Sequence, residues 1–410
     1  MASSFVVGLD IGSHAIRAAV AEVKRDGSGT LIGLLKMPSS GIRRGVVDNV
    51  IDATHSVSTV LNEIKKISRG ATRNIVLSVA SPDIKVQHSK GVVAVSRADD
   101  EIYQDDINRV VQSAAAINIP PNRVILHSII KEFIVDGIDN IRDPLGMIGK
   151  RLEVATLIID AFAPSVKNLA RCVETLGGGI SGTVLSQLAA SSAVLSKSQR
   201  DLGVLLIDIG FGKTTVAIYE ENRLVHAAVI PVGSGSITND LAIGLRIPIE
   251  AAETVKLSYG SAIAKEVAGR DEIELTKIDP RARGKVTKKF VAEIIEDRLA
   301  EIFELVNNEV KHVGKASQLP AGVVLVGGGV KLPGIVDLAR QELKLASQLG
   351  IPHSSGLSPL SSEIGLQAED PEFACAIGLI LYNGGQPAEP AEGPRPVSSW
   401  FKRFLNSFVP

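Results

Sequence analysis

Cysteine is nearly absent: Cys172 and Cys375 are the only two in 410 residues. Two are too few for a disulfide framework or a cysteine-held metal, so a reducing compartment is expected. Aromatic residues make up only 4% of a chain that is 45% hydrophobic, so the interior must be aliphatic, as in an α/β protein built on Val, Ile and Leu strands. The net charge of −1 lacks the basic footprint that general nucleic-acid binding needs. No apolar run reaches transmembrane length. The opening MASSFVVGLD runs straight into a strand and leaves no room for a signal peptide, so a cytoplasmic body is expected. At this length, two or more domains with buried cores are expected.

What the sequence does have is one pattern written twice. VLLIDIGFGKTTVAIY opens at Val204 as a buried strand, ends it at Asp208, turns through Gly210, Phe211, Gly212, Lys213 and Thr214, and continues as a second strand. Glycines there bring backbone amides close to a ligand, and successive amides make an anion nest. An Asp beside a phosphate nest is a natural holder of hydrated Mg²⁺. VVGLDIGSHAIRAAVAEV repeats the unit at residues 6–23, with Asp10, Gly12 and Ser13 at the turn. The repeat implies two similar halves, each presenting a phosphate hairpin, able to grip a nucleoside triphosphate from both sides. Asp10 and Asp208 are the candidate metal ligands.

Taken in order, the chain predicts a third strand near Leu31–Leu35, a helix over 51–68 and a strand over 75–80. Residues 85–162 read as a βαββ unit without nest, carboxylate pair or nucleophile. A helix, the Gly177-Gly178-Gly179 break, a strand near 180–184 and a helix from Leu185 follow. After the second hairpin a helix is expected, capped near Ser236 or Thr238. Glu253 and Lys256 then share a helix face at i and i+3, which a surface ion pair explains as readily as a ligand role. Arg281, Arg283, Lys285, Lys288 and Lys289 crowd into nine positions: a solvated loop or a docking patch for an acidic peptide. A helix over 290–312 leads to VVLVGGG, whose Gly327, Gly328 and Gly329 permit close approach of a ring or sugar.

Together these strings resemble the actin-like ATPase superfamily and, within it, the FtsA family of bacterial division proteins. Asp10 to Ser13 resembles the first phosphate motif, Asp208 to Thr215 the second, and Val323 to Ile335 the adenosine motif. Glu253 and Lys256 resemble the ExxK pair along ribose and adenine. GVVDNV (45–50), RVILHSII (123–130), IRDPLGMIGKRLEV (141–154) and AIGLRIPIEAAETVKLSYGSA (242–262) are further FtsA-like strings. The resemblance spans residues 5–383 and the tail. It implies an α/β, actin-like two-domain fold with duplicated ribonuclease-H-like halves, an inserted βαββ subdomain over 84–162 and a C-terminal amphipathic helix. It implies ATP and Mg²⁺ as cofactors, with the helix start at Gln187, together with Asp208, at the catalytic end.

The chain also departs from the family pattern. Phe211 stands where glycine is usual, Lys213 where threonine is, and Thr215 where an acid is. Ala15 replaces a common lysine, and Ser186-Gln187 a common Glu-Pro. Gln187 can orient a water but cannot act as a carboxylate base. Nucleotide binding with at most weak hydrolysis is therefore expected.

Residues 384–397 carry four prolines and no apolar periodicity, and read as a disordered linker. In SSWFKRFLNSFVP, Trp400, Phe401, Phe404, Leu405 and Phe408 fall on one helical face, with Lys402 and Arg403 opposite. So short a helix needs a surface to fold on, and an anionic lipid interface supplies one. The resemblance implies a polymerising adaptor at the division site, on the cytoplasmic face of the inner membrane. Its partners would be further copies of itself, the acidic C-terminal tail of the filament protein FtsZ, anionic lipid, and later division proteins of the membrane, with no nucleic acid. A pilus-platform protein of the PilM kind and a small-molecule kinase share the fold and remain open alternatives.

Overall fold

The computed structural model describes residues 4–24, 28–315, 318–353 and 356–382. Its centre is two sheets of the same topology. In the first, strands Ser4–Ile11, Ala15–Val23 and Gly29–Pro38 form an antiparallel meander, and Ile75–Val79 and Ile180–Leu185 extend it in parallel beyond Ser4–Ile11. In the second, Val204–Ile209, Thr214–Glu220 and Arg223–Ile230 form the meander, and Val323–Val326 and Ser347–Leu349 extend it in parallel. The duplication expected from the two hairpins therefore covers five strands in each half.

The first sheet has one more strand, Leu357–Pro359, which belongs to the second half of the chain and pairs in parallel with Gly29–Pro38. Three residues carry no detectable period, and this strand is not foreseen from sequence. The same holds for Ile138–Ile141, which adds a fourth strand to the inserted sheet of Lys85–Ala94, Arg151–Phe162 and Arg123–Val135. Helix Gln104–Ala115 packs against that sheet through Ile107, Val110 and Ala114, giving the insert a core of its own.

Between the two main sheets lie helices Ser186–Val194 and Ala374–Leu381. Both are buried nearly all round, as expected of helices sandwiched between apolar faces. One continuous core joins them to both sheets, taking in Ala19 and Leu31 from the first and Leu206 and Val324 from the second. The helices meet at Gly378, where a Cβ would stand 1.8 Å from the Ala189 carbonyl oxygen. No side chain fits there, because the backbone itself is in the way.

A Gly378→Val variant must separate this helix pair. Overpacking of a dense core costs about 1–3 kcal/mol, and more where backbone has to move. Its midpoint of urea unfolding is expected to fall clearly below that of the parent chain; an unchanged midpoint would mean the helices do not pack as described.

Candidate functional site

Each glycine hairpin is closed by the same bond, 198 positions apart. The Gly12 amide donates to the Ala15 carbonyl at 3.1 Å, and the Gly210 amide to the Lys213 carbonyl at 2.9 Å. Among the described residues, the turn amides of Ser13, His14, Phe211 and Gly212 have no intrachain partner, so four donors remain at the two turns. The turns approach each other: a Cβ at Gly212 would lie 2.8 Å from Ser13 Oγ, and the His14 ring stacks on Phe211 at 4.8 Å between centroids.

Helix Ser234–Leu245 packs its start against the second turn. The Ser234 amide donates to the Gly210 carbonyl and the Gly235 amide to the Phe211 carbonyl, at 2.9 and 2.7 Å. The helix therefore begins at Ser234 with Gly233 as its cap, not near Ser236 or Thr238. The expectation relied on hydroxyl capping; here the hairpin's carbonyls meet the exposed amides instead.

Asp10 and Asp208 close the equivalent strands. Asp10 accepts a 2.6 Å hydrogen bond from Ser78 Oγ. Asp208 lies under the Gly327 turn, where a Cβ would come 2.2 Å from Asp208 Oδ1, and the positive φ of +92° at Gly327 favours glycine independently. Burial first, and then the charge of Asp10, push Asp208 up to about 6, against the opposing charges of Lys213 and Arg17. The Cys375 thiol, buried beside both carboxylates, is pushed well above the usual thiol range by that burial and by their charge.

Lys213 does not point to solvent. Its Nζ donates at 2.7 Å to the carbonyl of Ala80, in the first half of the chain, and burial lowers its pKa while Asp10 and Asp208 pull it back up. Two carboxylates suffice for a hydrated Mg²⁺ where nothing competes. Here an ammonium already stands in their field. Thr215, which pairs across the ladder with Asp208, contributes a buried hydroxyl without a partner, not a third carboxylate. Among the described residues, no group of three or more His, Cys, Asp or Glu is placed to hold a metal. The residues do not fit a metal ion held by the protein.

A second charged cluster borders the Gly327–Gly329 turn, and nothing in the sequence signals it. Glu372 accepts from Arg17 Nε and Nη2 at 3.2 and 2.8 Å, from Lys36 Nζ at 2.9 Å and from Lys331 Nζ at 3.1 Å. Burial would raise its pKa, but the bonds from Lys36 and Arg17 outweigh that and hold it at about 2. Arg17 sits on the first hairpin, with its Nη1 3.7 Å from where a Cβ at Gly12 would be. Lys331 is the last residue of the Gly328–Lys331 turn. Arg17 and Glu372 are 355 positions apart, too far for any local pattern to connect them.

The Glu253–Lys256 pair is no surface pair. Lys256 is only 5% exposed, and its Nζ donates to Glu253 Oε2 at 2.7 Å, Thr238 Oγ1 at 2.9 Å and the Ser234 carbonyl at 3.3 Å. Its three protons are thus all taken, and it ties helix Ile249–Tyr259 to Ser234–Leu245. Gln187 is 1% exposed; its Nε2 donates to the Ala228 carbonyl at 3.0 Å and its Oε1 accepts from Ser186 Oγ at 3.1 Å. The helix carrying it is held at its start by His127 of the inserted sheet. Burial drops the His127 pKa to about 4, so the ring is neutral, and Nε2 accepts from the Leu185 amide at 3.0 Å.

The cation run is partly neutralised within its own lobe. Arg281 pairs with Asp279, Lys285 with Glu272 and Lys288 with Asp271. Arg283 and Lys289 are exposed, and among the described residues neither has an ion partner. Trp400, Phe401, Lys402, Arg403, Phe404, Leu405 and Phe408, and the linker before them, lie outside the described residues.

A family profile described as "Cell division protein FtsA" matches residues 205–378, and one described as "SHS2 domain inserted in FTSA" matches residues 82–160. The chain is 36% identical over 376 residues to cell division protein FtsA of Bacillus subtilis strain 168, covering 92% of this chain and 82% of that one. It is 33% identical over 378 residues to the Pseudomonas aeruginosa FtsA, covering 92% and 88%. A chain of the PilM-PilN type IV pilus biogenesis complex superposes with a TM-score of 0.65 at 17% identity, covering 93% and 99%. MreB5 of Spiroplasma citri bound to ADP superposes with a TM-score of 0.53 at 12% identity, covering 92% and 94%. At such identities, these two structures show a shared fold and nothing finer.

The Glu372 cluster yields a pH test. Its folded pKa of about 2 lies below the ordinary 4.5, so its stabilisation is complete above the ordinary value and is lost as pH falls from about 4.5 to about 2. Glu372→Gln removes that proton linkage. Urea unfolding between pH 6 and about pH 3 is expected to show a shallower loss of stability in the variant than in the parent; parallel curves would remove Glu372 from the acid response.

Proposed function

Because the chain belongs to the FtsA family of cell division proteins, within the actin-like ATPase superfamily, we propose that it binds ATP between its two hairpins and tethers FtsZ filaments to the membrane. The supporting observation is the pair of equivalent turns, closed by the same bond, with spare amides at their tips and the Gly327–Gly329 turn alongside. Ser13, Gly12, Gly210, Gly212, Lys213 and Thr214 would receive the phosphates. Gly327, Gly328, Gly329 and Glu253 would line the adenosine, with Lys256 setting the helix that carries Glu253. Entry of the nucleotide requires the turns to part, which opens the His14–Phe211 stack. The ADP-bound MreB5 of the same fold is consistent with a nucleotide in this cleft.

Hydrolysis is slow in this reading, because Gln187 must give up two hydrogen bonds before it can orient a water near Asp208. The protein assembles with its own kind and works at the division site, on the cytoplasmic face of the inner membrane. Arg283 and Lys289, flanked by the paired Arg281, Lys285 and Lys288, offer the acidic FtsZ tail its positive surface. The inserted subdomain, with Ile138 at its edge strand and Leu145 and Ile148 in the following loop exposed, is the face for later division proteins. A PilM-like role shares the fold, but the aromatic, basic tail favours the division reading. No helix among the described residues is long and apolar enough to cross a membrane, so the tail is the proposed anchor.

Gly328→Asp puts a carboxylate beside Arg17 Nη2, 3.5 Å from where the Cβ would be. It is expected to weaken ATP binding by about tenfold or more, roughly 1.4 kcal/mol, measured by calorimetry with the fold checked by melting. Equal affinity in parent and variant would take the nucleotide out of this cleft.

Deleting residues 398–410 is expected to abolish co-sedimentation with anionic liposomes, and Trp400→Glu or Phe404→Glu to weaken it sharply, while ATP binding is unchanged. Lys402 and Arg403 contribute about 1 kcal/mol each on anionic lipid. Reversing their charge should lessen binding and flatten its salt dependence. A truncated chain that pellets as well as the parent would remove the tail as anchor.

A further inference from the structure

We propose that the cleft takes its nucleoside triphosphate without a divalent cation, with the Lys213 ammonium and the Arg17 guanidinium neutralising the phosphates in its place. This rests on the nucleotide reading above and names the chemistry of the same site. Three observations carry it.

The first is where Lys213 goes. From the second turn it reaches across to the first half of the chain and is anchored by the Ala80 carbonyl at 2.7 Å. Its charge is felt by Asp208, and the charges of Asp10 and Asp208 are felt by it. A divalent ion drawn to the two carboxylates would have to settle against this ammonium in a poorly solvated cleft, where like charges repel strongly. One fixed positive group already does what that ion would do.

The second is how Arg17 is held. Glu372 takes Nε and Nη2, fixing the plane of the guanidinium, and among the described residues Nη1 has no hydrogen-bond partner. That free nitrogen is the one beside Gly12, at the first phosphate turn. A guanidinium held by one edge with donors left over is preorganised for a phosphate oxygen, and it cannot lose its charge at working pH. Arg17 lies opposite Asp10 in the ladder, so it enters the site from the strand wall and not from the turn.

The third is what surrounds the carboxylates. Asp10 is already bonded to Ser78, Asp208 is half-buried against Gly327, and the neighbouring Thr215 is neutral. With Lys213 and Arg17 already in the field of Asp208, the negative charge there is largely balanced, which leaves little for a divalent ion to neutralise.

The test is ATP binding to the full-length chain by calorimetry, in Mg²⁺ and again in EDTA. The parent is expected to bind with affinities within about threefold of each other. Lys213→Met keeps the alkyl stem and removes the charge, and Lys213→Thr removes both; melting curves confirm that each variant is folded. Both are expected to bind about tenfold or more weakly in EDTA than in Mg²⁺, having acquired a need for the ion. A parent that loses tenfold or more in EDTA overturns the inference and leaves the nucleotide reading standing. Variants weakened equally in both buffers overturn it too, since Lys213 would then not stand in for the ion. Absence of ATP binding in either buffer brings down the nucleotide reading itself, and the inference with it.

Discussion

The rest of the structure depends on the contact between two short helices, one of small residues and one wholly apolar, each buried over most of its surface. Ser186–Val194 and Ala374–Leu381 cross so closely at Gly378 that backbone touches backbone, and both sheets lean on them from opposite sides. Close packing of this kind transmits displacement and does not absorb it. Each helix also leads to the cleft: the first begins at Ser186-Gln187, and the second follows Glu372, with Cys375 in its first turn beside Asp10. The positions of Gln187 and Cys375 are therefore set by packing at the centre of the molecule, not by the loops around the cleft.

Charge has a parallel role at the cleft's edge. Glu372 gathers three cations, two from strands of the first half and one from the turn that follows strand Val323–Val326 of the second. It is a single anion holding both halves at the line along which they would separate. Breaking one partner leaves a charge in a poorly solvated place, which is costly. The arrangement resists opening and favours one relative placement of Arg17 and Gly328. His127 does comparable work for the insert, tying its sheet to the start of a central helix through one neutral nitrogen.

Much of this was legible in the sequence because it is written locally. The apolar runs, the paired D-x-G turns and the three glycines after Val326 each report a short-range requirement of the backbone, and the duplicated halves follow from seeing the turn twice. The rest was hidden for physical reasons. Leu357–Pro359 is too short to show a period, and its pairing depends on an edge left open more than 300 residues earlier. The start of helix Ser234–Leu245 was misplaced because its amides are met by carbonyls from another element, where sequence offers only nearby hydroxyls. That the basic run is partly paired is not legible locally, because nothing in the sequence marks Asp271, Glu272 and Asp279 as its partners. Arg17 went unnoticed because a lone arginine in a strand has no motif; only the structure places it beside Gly12 and Gly328.

The borrowed edge strand has a consequence for synthesis. When the first 185 residues have left the ribosome, the sheet they form still lacks Leu357–Pro359 along one edge, and its inner face lacks the helix of residues 374–381. Both arrive only after the whole second half has been made. Contacts this distant in sequence are slow to form, and an unfinished sheet offers apolar surface and unpaired backbone meanwhile. The nascent first half must therefore wait in a partly exposed state until the second half has been made. A chain truncated before residue 357 would leave that edge open permanently.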